Sequence, residues 1–216
     1  MKDDKSLIIM RSTLSRLPIY YCYLQNKQNE GQEYVSSAAI AESLSLNPVQ
    51  VRKDLASVSS IAGKPKLGFR TDQLIEDMKN FLGYNTFDDA ILVGVGSLGR
   101  TLLQYNGFAN YGLNIVVGFD KDPALSGSIV AGKPIMPMSK MRSLARRLNL
   151  HIGIIAVPAD QAQGVADAMV DAGIEAIWNF APTHINLPQN MLIKNENLAA
   201  SLAVLSTALR KKNSSK

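Results

Sequence analysis

Three glycines near the middle of the chain have the spacing of a dinucleotide-binding turn. Residues 94–99 read Gly-Val-Gly-Ser-Leu-Gly, and they lie between an apolar stretch predicted to be a strand and one predicted to be a helix. Gly94 would permit the tight bend, Gly96 would let the backbone approach a pyrophosphate, and Gly99 would let the helix pack closely on the strand. The helix N-terminus would attract the phosphates. We therefore expect a dinucleotide along the whole turn, which comprises Gly94, Val95, Gly96, Ser97, Leu98 and Gly99.

An acidic residue follows this turn at the distance that a ribose contact requires. Asp120 lies 21 residues after Gly99, at the end of the next predicted strand. Its carboxylate can accept hydrogen bonds from both ribose hydroxyls and would repel a 2′-phosphate, which favours NAD(H) over NADP(H). Lys121 follows directly and reduces that preference. The expected cofactors are therefore NADH and NAD, with coenzyme A or another nucleotide as an alternative ligand.

Two later loops are expected to border the same site, because the ligands of parallel sheets bind beyond the carboxyl ends of the strands. The residues concerned are Ala156, Val157 and Pro158 in the first loop and Asn179, Phe180, Ala181 and Pro182 in the second. Asn179 offers an amide for the carboxamide of nicotinamide, and Phe180 and Pro182 offer an apolar wall for its ring. Packing alone is an equally good interpretation of the two apolar residues.

Ahead of the glycine turn, the sequence predicts two short helices in close succession. Ser36 or Ser37 can cap a helix that runs to Leu44. Asn47 is a good N-cap for a second helix, and Gln50 is placed to complete a capping box with it. The short link between the two helices is typical of a helix-turn-helix.

The second of these helices combines a buried face with a polar one. Its apolar face comprises Val51, Leu55 and Val58. Lys53 projects almost directly opposite, with Gln50 and Arg52 on the flanks, which suits contacts to base edges. A turn around Gly63 and Gly68 follows and predicts a basic wing. The residues expected to contact double-stranded DNA are Ser36, Ser37, Asn47, Gln50, Arg52, Lys53, Lys64, Lys66 and Arg70.

The rest of the chain alternates predicted strands and helices, which indicates a doubly wound α/β domain. The predicted strands cover residues 90–93, 114–119, 152–157, 176–180 and 191–194, and the predicted helices cover residues 98–105, 139–148, 160–172 and 198–212. The fold class is therefore an N-terminal winged helix-turn-helix followed by a Rossmann-like parallel sheet. We expect a DNA-binding domain over residues 1–83, a nucleotide domain over 84–196 and a C-terminal segment over 197–216.

Composition limits the class of protein further. The 216 residues are 46% hydrophobic and 19% charged, with a net charge of +5, as in ordinary globular proteins. Residues 48–71 carry five bases against one acid, so the excess of positive charge is concentrated in the predicted DNA element. One cysteine excludes an internal disulfide framework and a cysteine-rich metal cluster. We expect a cytoplasmic protein without metal or membrane partners, because no long apolar run and no basic leader are present.

Several of these motifs together resemble the Rex family of redox-sensing transcriptional repressors, over nearly the whole chain. The resemblance rests on TLSRLPIYYCYL, SSAAIAESL, NPVQVRKDLA, GVGSLGRTLLQYNGF, VVGFDKDP, IIAVPA, NFAP and the final helix. It implies a homodimer with winged-helix N-terminal domains, Rossmann-like C-terminal domains and a last helix exchanged between subunits. It also implies that NADH releases the repressor from an inverted-repeat operator, whereas NAD permits binding.

The resemblance assigns further roles residue by residue. The glycine turn and Asp120 become the NADH site. The exchanged helix would present an apolar face comprising Leu198, Leu202, Leu205 and Leu209. In the family an arginine, a tyrosine and an aspartate form a redox-sensitive network, and the matching positions here are Arg16, Tyr105 and Asn197.

Two departures from the family pattern put the switch in question. A neutral amide at Asn197 cannot make the charge-assisted hydrogen bond of an aspartate, which is typically about twice as strong as a neutral one. Residues 58–63 read Val-Ser-Ser-Ile-Ala-Gly, where family members tend to have aromatic residues and glycines. The sequence is therefore compatible with a paralogue of altered operator preference or redox response.

Other functions remain open on the sequence. A small NAD-dependent oxidoreductase would need a proton donor at the nicotinamide, and His184 is the better candidate of two histidines, although an ordinary loop role is the simpler interpretation. A coenzyme A-binding module is a third possibility. Cys22 is a candidate thiol sensor, but its helical spacing among tyrosines favours simple packing.

Overall fold

The computed structural model describes residues 11–86 and 88–214, without the side chains of Arg11 and Leu198. The chain forms two compact units, of which the first (unit 1) ends at Asn85 and the second (unit 2) begins at Thr86. Each unit has a core of its own.

Unit 1 is a small helical domain with a two-stranded sheet. Its helices are α1 (Arg11–Asn29), α2 (Ser37–Ser43), α3 (Pro48–Val58) and α4 (Thr71–Leu82), and its strands are β1 (Tyr34–Val35) and β2 (Phe69–Arg70). The strands pair antiparallel. The buried side chains on which the helices meet include Leu17, Tyr20, Leu24, Ile40, Val51, Leu55, Leu74 and Met78.

Local sequence explains how the helices of unit 1 begin. The hydroxyl of Ser36 accepts the N–H of Ala39 and caps α2. The side chain of Asn47 accepts the N–H groups of Val49 and Gln50 and caps α3. The predicted helix-turn-helix is therefore present. Pro18 lies inside α1, and the helix continues past it to Asn29.

Unit 2 is a doubly wound α/β domain. Its strands are β3 (Asp88–Val93), β4 (Leu113–Asp120), β5 (Ile129–Val130), β6 (Lys133–Pro137), β7 (Ile152–Ile155), β8 (Ala176–Asn179) and β9 (Leu192–Asn195). Its helices are α5 (Ser97–Gln104), α6 (Met141–Leu148), α7 (Ala159–Ala172) and α8 (Leu198–Ser214). The sheet order is β5-β6-β4-β3-β7-β8-β9, and every pairing is parallel except that of β5 with β6.

The order of the strands determines where a ligand can bind. The chain leaves β3 toward β4 on one side and returns through β7 on the other, so the order reverses between β3 and β7. A crevice opens at such a switch point beyond the carboxyl ends of the strands. The glycine turn follows β3, and Ala156 follows β7. The sheet therefore brings together two of the segments expected at the site.

The main departures from expectation in unit 2 are short elements. The β5–β6 hairpin was not predicted, because two-residue and proline-containing strands lack a clear alternating pattern. The strand predicted over residues 152–157 ends at Ile155, and the helix predicted from residue 139 begins at Met141. In the described part of the chain, no helix has the length and apolar character to cross a membrane.

Candidate functional site

The glycine turn has the geometry of a phosphate cradle. Gly94 has a φ of +98°, and a side chain there would meet the carbonyl oxygen of Ala156 at 2.5 Å. A side chain at Gly99 would collide with the carbonyl oxygen of Gly94, whereas none of the described atoms lies within 4 Å of one at Gly96. Two of the glycines are therefore required by the fold, and the third leaves an open approach to the backbone. That opening fits the pyrophosphate of a dinucleotide.

The helix after the turn supplies unpaired donors. Gly96 is the N-cap of α5, and no side chain in the described part of the chain caps this helix. Its first N–H groups are orphan donors and carry the positive end of the helix dipole. Ser97 and Leu98, both expected to contact ligand, are exposed here, whereas Val95 is buried.

Asp120 lies at the end of β4 and closes the turn from the other side. Its carboxylate accepts the N–H of Val95 at 2.6 Å and the N–H of Asp122 at 2.9 Å. The side chain is half-buried and lines the cleft described next. Each oxygen of a carboxylate has two lone pairs, so one hydrogen bond to each leaves capacity for ribose hydroxyls.

A cleft of about 290 Å³ opens between the glycine turn and the loop after β7. The predicted residues that line it are Gly94, Gly96, Asp120, Lys121, Ala156, Val157 and Pro158. Four residues that the sequence did not reveal also line it: Val93, Met138, Gln161 and Val165. Gln161 lies in the first turn of α7, directly after the predicted loop that ends at Pro158, and this position in the sequence was the signal that could have indicated it. The cleft is mostly apolar, with polar groups at the turn, as is usual for a cofactor site.

The loop after β8 is built differently from the prediction. Asn179 is fully buried, and its side-chain oxygen accepts the N–H of Ala181 at 2.9 Å. Its amide group donates to the carbonyl of Thr183 at 3.2 Å and to the side chain of Asn195 at 2.8 Å. The expectation that this amide faces the cleft is therefore wrong, because it holds the loop instead.

Phe180 and Pro182, which were expected to form an apolar wall for the nicotinamide ring, have different surroundings. Phe180 packs against Trp178, with ring centroids 4.5 Å apart, and Pro182 is exposed. None of the four loop residues lines the cleft of unit 2 in the described structure.

In unit 1, α3 exposes the cations that were expected on it. Arg52 and Lys53 are exposed, and neither makes an ion pair with a described residue. Val51, Leu55 and Val58 are buried, as the helical spacing predicts. The outer face of α3 is therefore positively charged and unoccupied by side-chain partners from the described residues.

The wing is a tight hairpin, and one of the three cations expected on it is engaged in an ion pair. Lys64 and Gly68 exchange two backbone hydrogen bonds of 2.7 and 2.9 Å. Lys66 lies at the tip with a φ of +65°, and it is exposed. Arg70 was expected on the turn but lies in β2, where it is paired with Asp72. Lys64 and Lys66 are therefore the cations that this hairpin presents.

A buried carboxylate that the sequence did not reveal joins α3 to α1. Asp54 is 3% exposed on a helix face otherwise made of valine and leucine. It accepts the Nε of Arg16 at 2.8 Å, the hydroxyl of Tyr20 at 2.9 Å and the hydroxyl of Thr13 at 3.1 Å. The Nε2 of Gln50 donates to its Oδ1 at 2.9 Å. An acid on an apolar helix face was the signal, because buried charges are paired.

The hydrogen bonds keep this carboxylate ionised. Burial alone would raise the pKa of Asp54, but the bonds from Arg16, Gln50, Tyr20 and Thr13 together lower it below its ordinary value. The pKa of Tyr20 is raised to about 12, first by burial and then by its bond to Asp54. The side chain of Gln50 donates to Asp54 and does not accept the N–H of Asn47 among the described residues, so the predicted capping box is wrong.

The three residues that the resemblance assigns to a switch have partners within their own units. Arg16 belongs to the cluster of side chains around the buried carboxylate of unit 1, called the Asp54 cluster below, which comprises Thr13, Arg16, Tyr20, Gln50 and Asp54. Tyr105 is exposed in unit 2 and packs its ring edge against Phe108. Asn197 caps α8 by accepting the N–H of Ala200 at 2.8 Å. Their assignment to one network remains a prediction.

Two other candidates are simple to place. Cys22 is exposed, so the expectation that it is packed is wrong. His184 is exposed in the loop after β8 and does not line the cleft of unit 2.

Comparison with known proteins agrees with the two-unit organisation. Residues 9–56 match the family described as putative DNA-binding protein N-terminus, and residues 87–183 match the family described as CoA binding domain. The crystal structure of RSP, a Rex-family repressor, superposes with a TM-score of 0.84 at 29% identity, covering 95% of this chain and 96% of RSP. RSP in complex with NAD+ and operator DNA gives a TM-score of 0.87 at 30% identity, covering 95% and 94%. RSP in complex with NADH gives a TM-score of 0.85 at 29% sequence identity, covering 95% of this chain and 96% of RSP.

Relatives by sequence belong to the same group. The redox-sensing transcriptional repressor Rex of Bacteroides fragilis is 38% identical over 95% of this chain and 93% of the relative. The Rex repressor of Porphyromonas gingivalis is 39% identical over 94% of each chain, and that of Treponema denticola is 37% identical over 93% and 95%. The family expectation is confirmed: the chain belongs to the Rex family of redox-sensing transcriptional repressors.

Proposed function

We propose that this protein is an NADH-responsive repressor, which binds an inverted-repeat operator through unit 1 and NAD(H) through unit 2. The observation that carries the proposal is the presence of two surfaces in one chain, of which one is complementary to DNA and the other to a dinucleotide. Unit 1 exposes cations on α3 and the wing that make no ion pair with a described residue, and these cations fit phosphates and base edges. Unit 2 has an open glycine turn beside a carboxylate, which fits a dinucleotide.

In unit 1, α3 would lie in the major groove and the wing along the backbone. Lys53 and Arg52 would contact base edges, and Lys64 and Lys66 would contact phosphates or the minor groove. Ser36, Ser37 and Asn47, at the N-termini of α2 and α3, are placed for phosphate contacts. Arg70 makes a weaker contribution, because its guanidinium is already paired with Asp72.

In unit 2, the pyrophosphate would lie against Gly96 and the N-terminus of α5, and Asp120 would accept from the adenine ribose. The carboxylate would disfavour the 2′-phosphate of NADPH. Gln161, on the wall of the cleft, is the side-chain amide available to a nicotinamide in place of Asn179.

Release by NADH requires that the reduced cofactor bind the DNA-incompetent state more tightly than the competent state. Moving a population from 1:99 to 99:1 takes about 10⁴-fold differential affinity, about 5.5 kcal/mol. A two-fold repressor is sensitive to the spacing of its recognition helices, so a rotation of the DNA-binding domains is sufficient to release it.

The test is fluorescence anisotropy of the full-length protein on labelled AT-rich inverted-repeat duplex at fixed salt. NADH, NAD, NADPH and coenzyme A are titrated separately. We expect NADH to release the protein at concentrations where NAD does not. Release at the same concentration by NADH and NAD would overturn redox sensing. Release by coenzyme A alone would instead favour coenzyme A as the ligand, in line with the matched family described as CoA binding domain.

We also propose that residues 197–216 are a dimerisation segment, exchanged between the subunits of a homodimer. The apolar side chains of α8 are exposed: Leu202 is 67%, Leu205 66% and Leu209 58% accessible. Burying one such leucine is worth about 1.5–3 kcal/mol. Leu205→Glu should give a monomer in sedimentation equilibrium, whereas the control Thr207→Glu, on the opposite face, should remain a dimer. A monomeric wild-type protein, or a dimeric Leu205→Glu variant, would contradict this assignment.

We further propose that the protein catalyses no reaction and acts in the cytoplasm, where it has access to chromosomal DNA. An assay with alcohols and 2-hydroxy acids should show no NADH formation. Turnover that disappears in a His184→Ala variant would instead support the oxidoreductase alternative.

A further inference from the structure

The Asp54 cluster has a consequence for which base the protein reads. Its outermost member is Gln50, which is exposed in the first turn of α3. The N-terminal residues of a recognition helix are the ones that contact base edges. The orientation of the Gln50 amide therefore determines what this position offers to DNA.

Asp54 restricts that orientation. The ionised carboxylate can only accept hydrogen bonds, so Gln50 has to direct its NH₂ group, and not its oxygen, toward Oδ1. The carboxylate cannot turn away, because Arg16 bonds both of its oxygens, at 2.8 and 3.0 Å. Tyr20 and Thr13 hold one oxygen each from the same helix.

The bond to Asp54 uses one of the two amide hydrogens of Gln50. One N–H and the carbonyl oxygen remain for a base edge. Adenine presents an acceptor at N7 and a donor at N6 in the major groove, which complements this pair. Guanine presents two acceptors, N7 and O6, so the glutamine oxygen would face O6 without a hydrogen between them.

We propose that Asp54 is a positioning residue that orients Gln50 to read adenine, and to reject guanine, at one position in each operator half-site. This inference rests on the proposed DNA-binding function. It adds a base preference that depends on a side chain which does not itself reach the DNA.

The test begins with binding of full-length protein to a randomised inverted-repeat duplex library, followed by affinity measurements on single-base variants of the selected duplex. In the wild-type protein, one position per half-site should prefer adenine over guanine by about 5- to 150-fold. The Gln50→Ala variant should lose the preference at that position and keep it at the others.

Asp54→Asn changes the chemistry with little change in shape. An asparagine can donate to the oxygen of Gln50, which then presents both of its hydrogens outward, as guanine requires. The adenine preference should fall toward unity or reverse at that position only. In the Gln50→Ala background, Asp54→Asn should have no further effect on the preference. The matched control is Asp72→Asn, which removes an exposed carboxylate of unit 1 and should leave every preference unchanged.

Two results would overturn the inference. One is an unchanged preference for adenine over guanine in a folded Asp54→Asn protein. The other is an Asp54→Asn protein that loses affinity equally for the duplexes altered at every position, because a uniform loss indicates a structural role only. Failure of the wild-type protein to select any duplex would instead overturn the proposed function itself.

A measurement on the wild-type protein keeps the inference testable if Asp54→Asn does not fold. The critical adenine is replaced by 7-deazaadenine, which lacks N7, or by purine, which lacks the N6 amino group. Both replacements should weaken binding, because the fixed amide uses one donor and one acceptor. Insensitivity to either replacement would show that Gln50 is not held in this orientation.

Discussion

Asp54 in unit 1 and Asp120 in unit 2 each hold a recognition element in place, but with different kinds of partner. Asp54 is buried and accepts hydrogen bonds from four side chains, those of Thr13, Arg16, Tyr20 and Gln50. Asp120 is half-buried at the edge of a cleft and accepts from two backbone N–H groups. The recognition helix of unit 1 is therefore held through side-chain donors, and the glycine turn of unit 2 through backbone donors.

This difference indicates which substitutions each unit tolerates. A side-chain cluster depends on the polar group of each member, because a buried donor or charge without its partner is costly. A backbone turn depends on the absence of side chains, because Gly94 and Gly99 have other backbone atoms where a side chain would be. Unit 1 should therefore be sensitive to the loss of polar atoms at the Asp54 carboxylate, and unit 2 to atoms added at Gly94 or Gly99.

The largest expected effect is the loss of Asp54. Asp54→Ala leaves Arg16 and two hydroxyls without their acceptor, and breaking a buried ion pair typically costs about 3–5 kcal/mol of unfolding free energy. Denaturant unfolding followed by far-UV circular dichroism measures this loss. The single tryptophan, Trp178, lies in unit 2, so its fluorescence should show an unchanged transition.

The control for that variant is Asp72→Ala, which breaks an exposed pair with Arg70 and should change stability little. Equal effects of the two substitutions would show that the Asp54 cluster adds nothing beyond a surface ion pair. The contrast between side-chain and backbone positioning would then be wrong for unit 1.

Acid provides a second test of the cluster, because it protonates Asp54 without removing atoms. The pKa of this carboxyl lies below its ordinary value of 3.8. A carboxyl with a lowered pKa contributes stability above its unfolded pKa and loses that contribution as the pH falls through its folded pKa. The unfolding free energy of unit 1 should therefore decrease below pH 3.8 more steeply in the wild-type protein than in Asp54→Asn. Parallel pH profiles of the two proteins would contradict the assignment.

The sequence predicted the elements that have strong local signals. The caps Ser36 and Asn47 and the apolar face of α3 indicated the helix-turn-helix, and the glycine spacing with Asp120 indicated the nucleotide cleft. The caps and the apolar face are short-range patterns that one helix makes by itself, and the glycine turn with its acidic residue is a motif of fixed spacing.

What the sequence did not reveal depends on contacts between distant segments. Asp54 bonds to residues 34–41 positions away, so its role follows only from the packing of α1 against α3. Asn179 looked like a ligand donor because it lies at the carboxyl end of a strand, but its neighbours in the fold occupy both ends of its amide. The same residue type is a ligand contact or a structural bond depending on tertiary packing alone.

A substitution that adds atoms tests the backbone site of unit 2. Gly96→Val should leave the stability of unit 2 unchanged, because no described atom lies within 4 Å of its β-carbon position. The new side chain would occupy the approach to the backbone, so NADH affinity should fall at least about tenfold, which is about 1.4 kcal/mol. Energy transfer from Trp178 to NADH is a direct measure of binding.

The comparison variant is Gly99→Ala, in which the added methyl group meets the carbonyl of Gly94. It should lower the stability of unit 2, as reported by Trp178 fluorescence, while the unfolding of unit 1 is unchanged. A stable Gly99→Ala protein, or a Gly96→Val protein that binds NADH normally, would show that the turn is not the rigid cradle inferred here.

The smallest expected effect is the removal of charge from Asp120. Asp120→Asn keeps an oxygen that can accept the N–H of Val95, so the turn should stay closed. The neutral amide makes weaker bonds to ribose hydroxyls and no longer repels a 2′-phosphate, so the preference for NADH over NADPH should narrow about threefold or more. Asp122→Asn is the control, because Asp122 caps a neighbouring turn and does not line the cleft. An unchanged ratio of NADH to NADPH affinity would show that Asp120 acts only on the backbone of the glycine turn. The selectivity for NADH would then have to come from contacts of the cofactor with other residues of the cleft, and Lys121 would be the first of these to substitute.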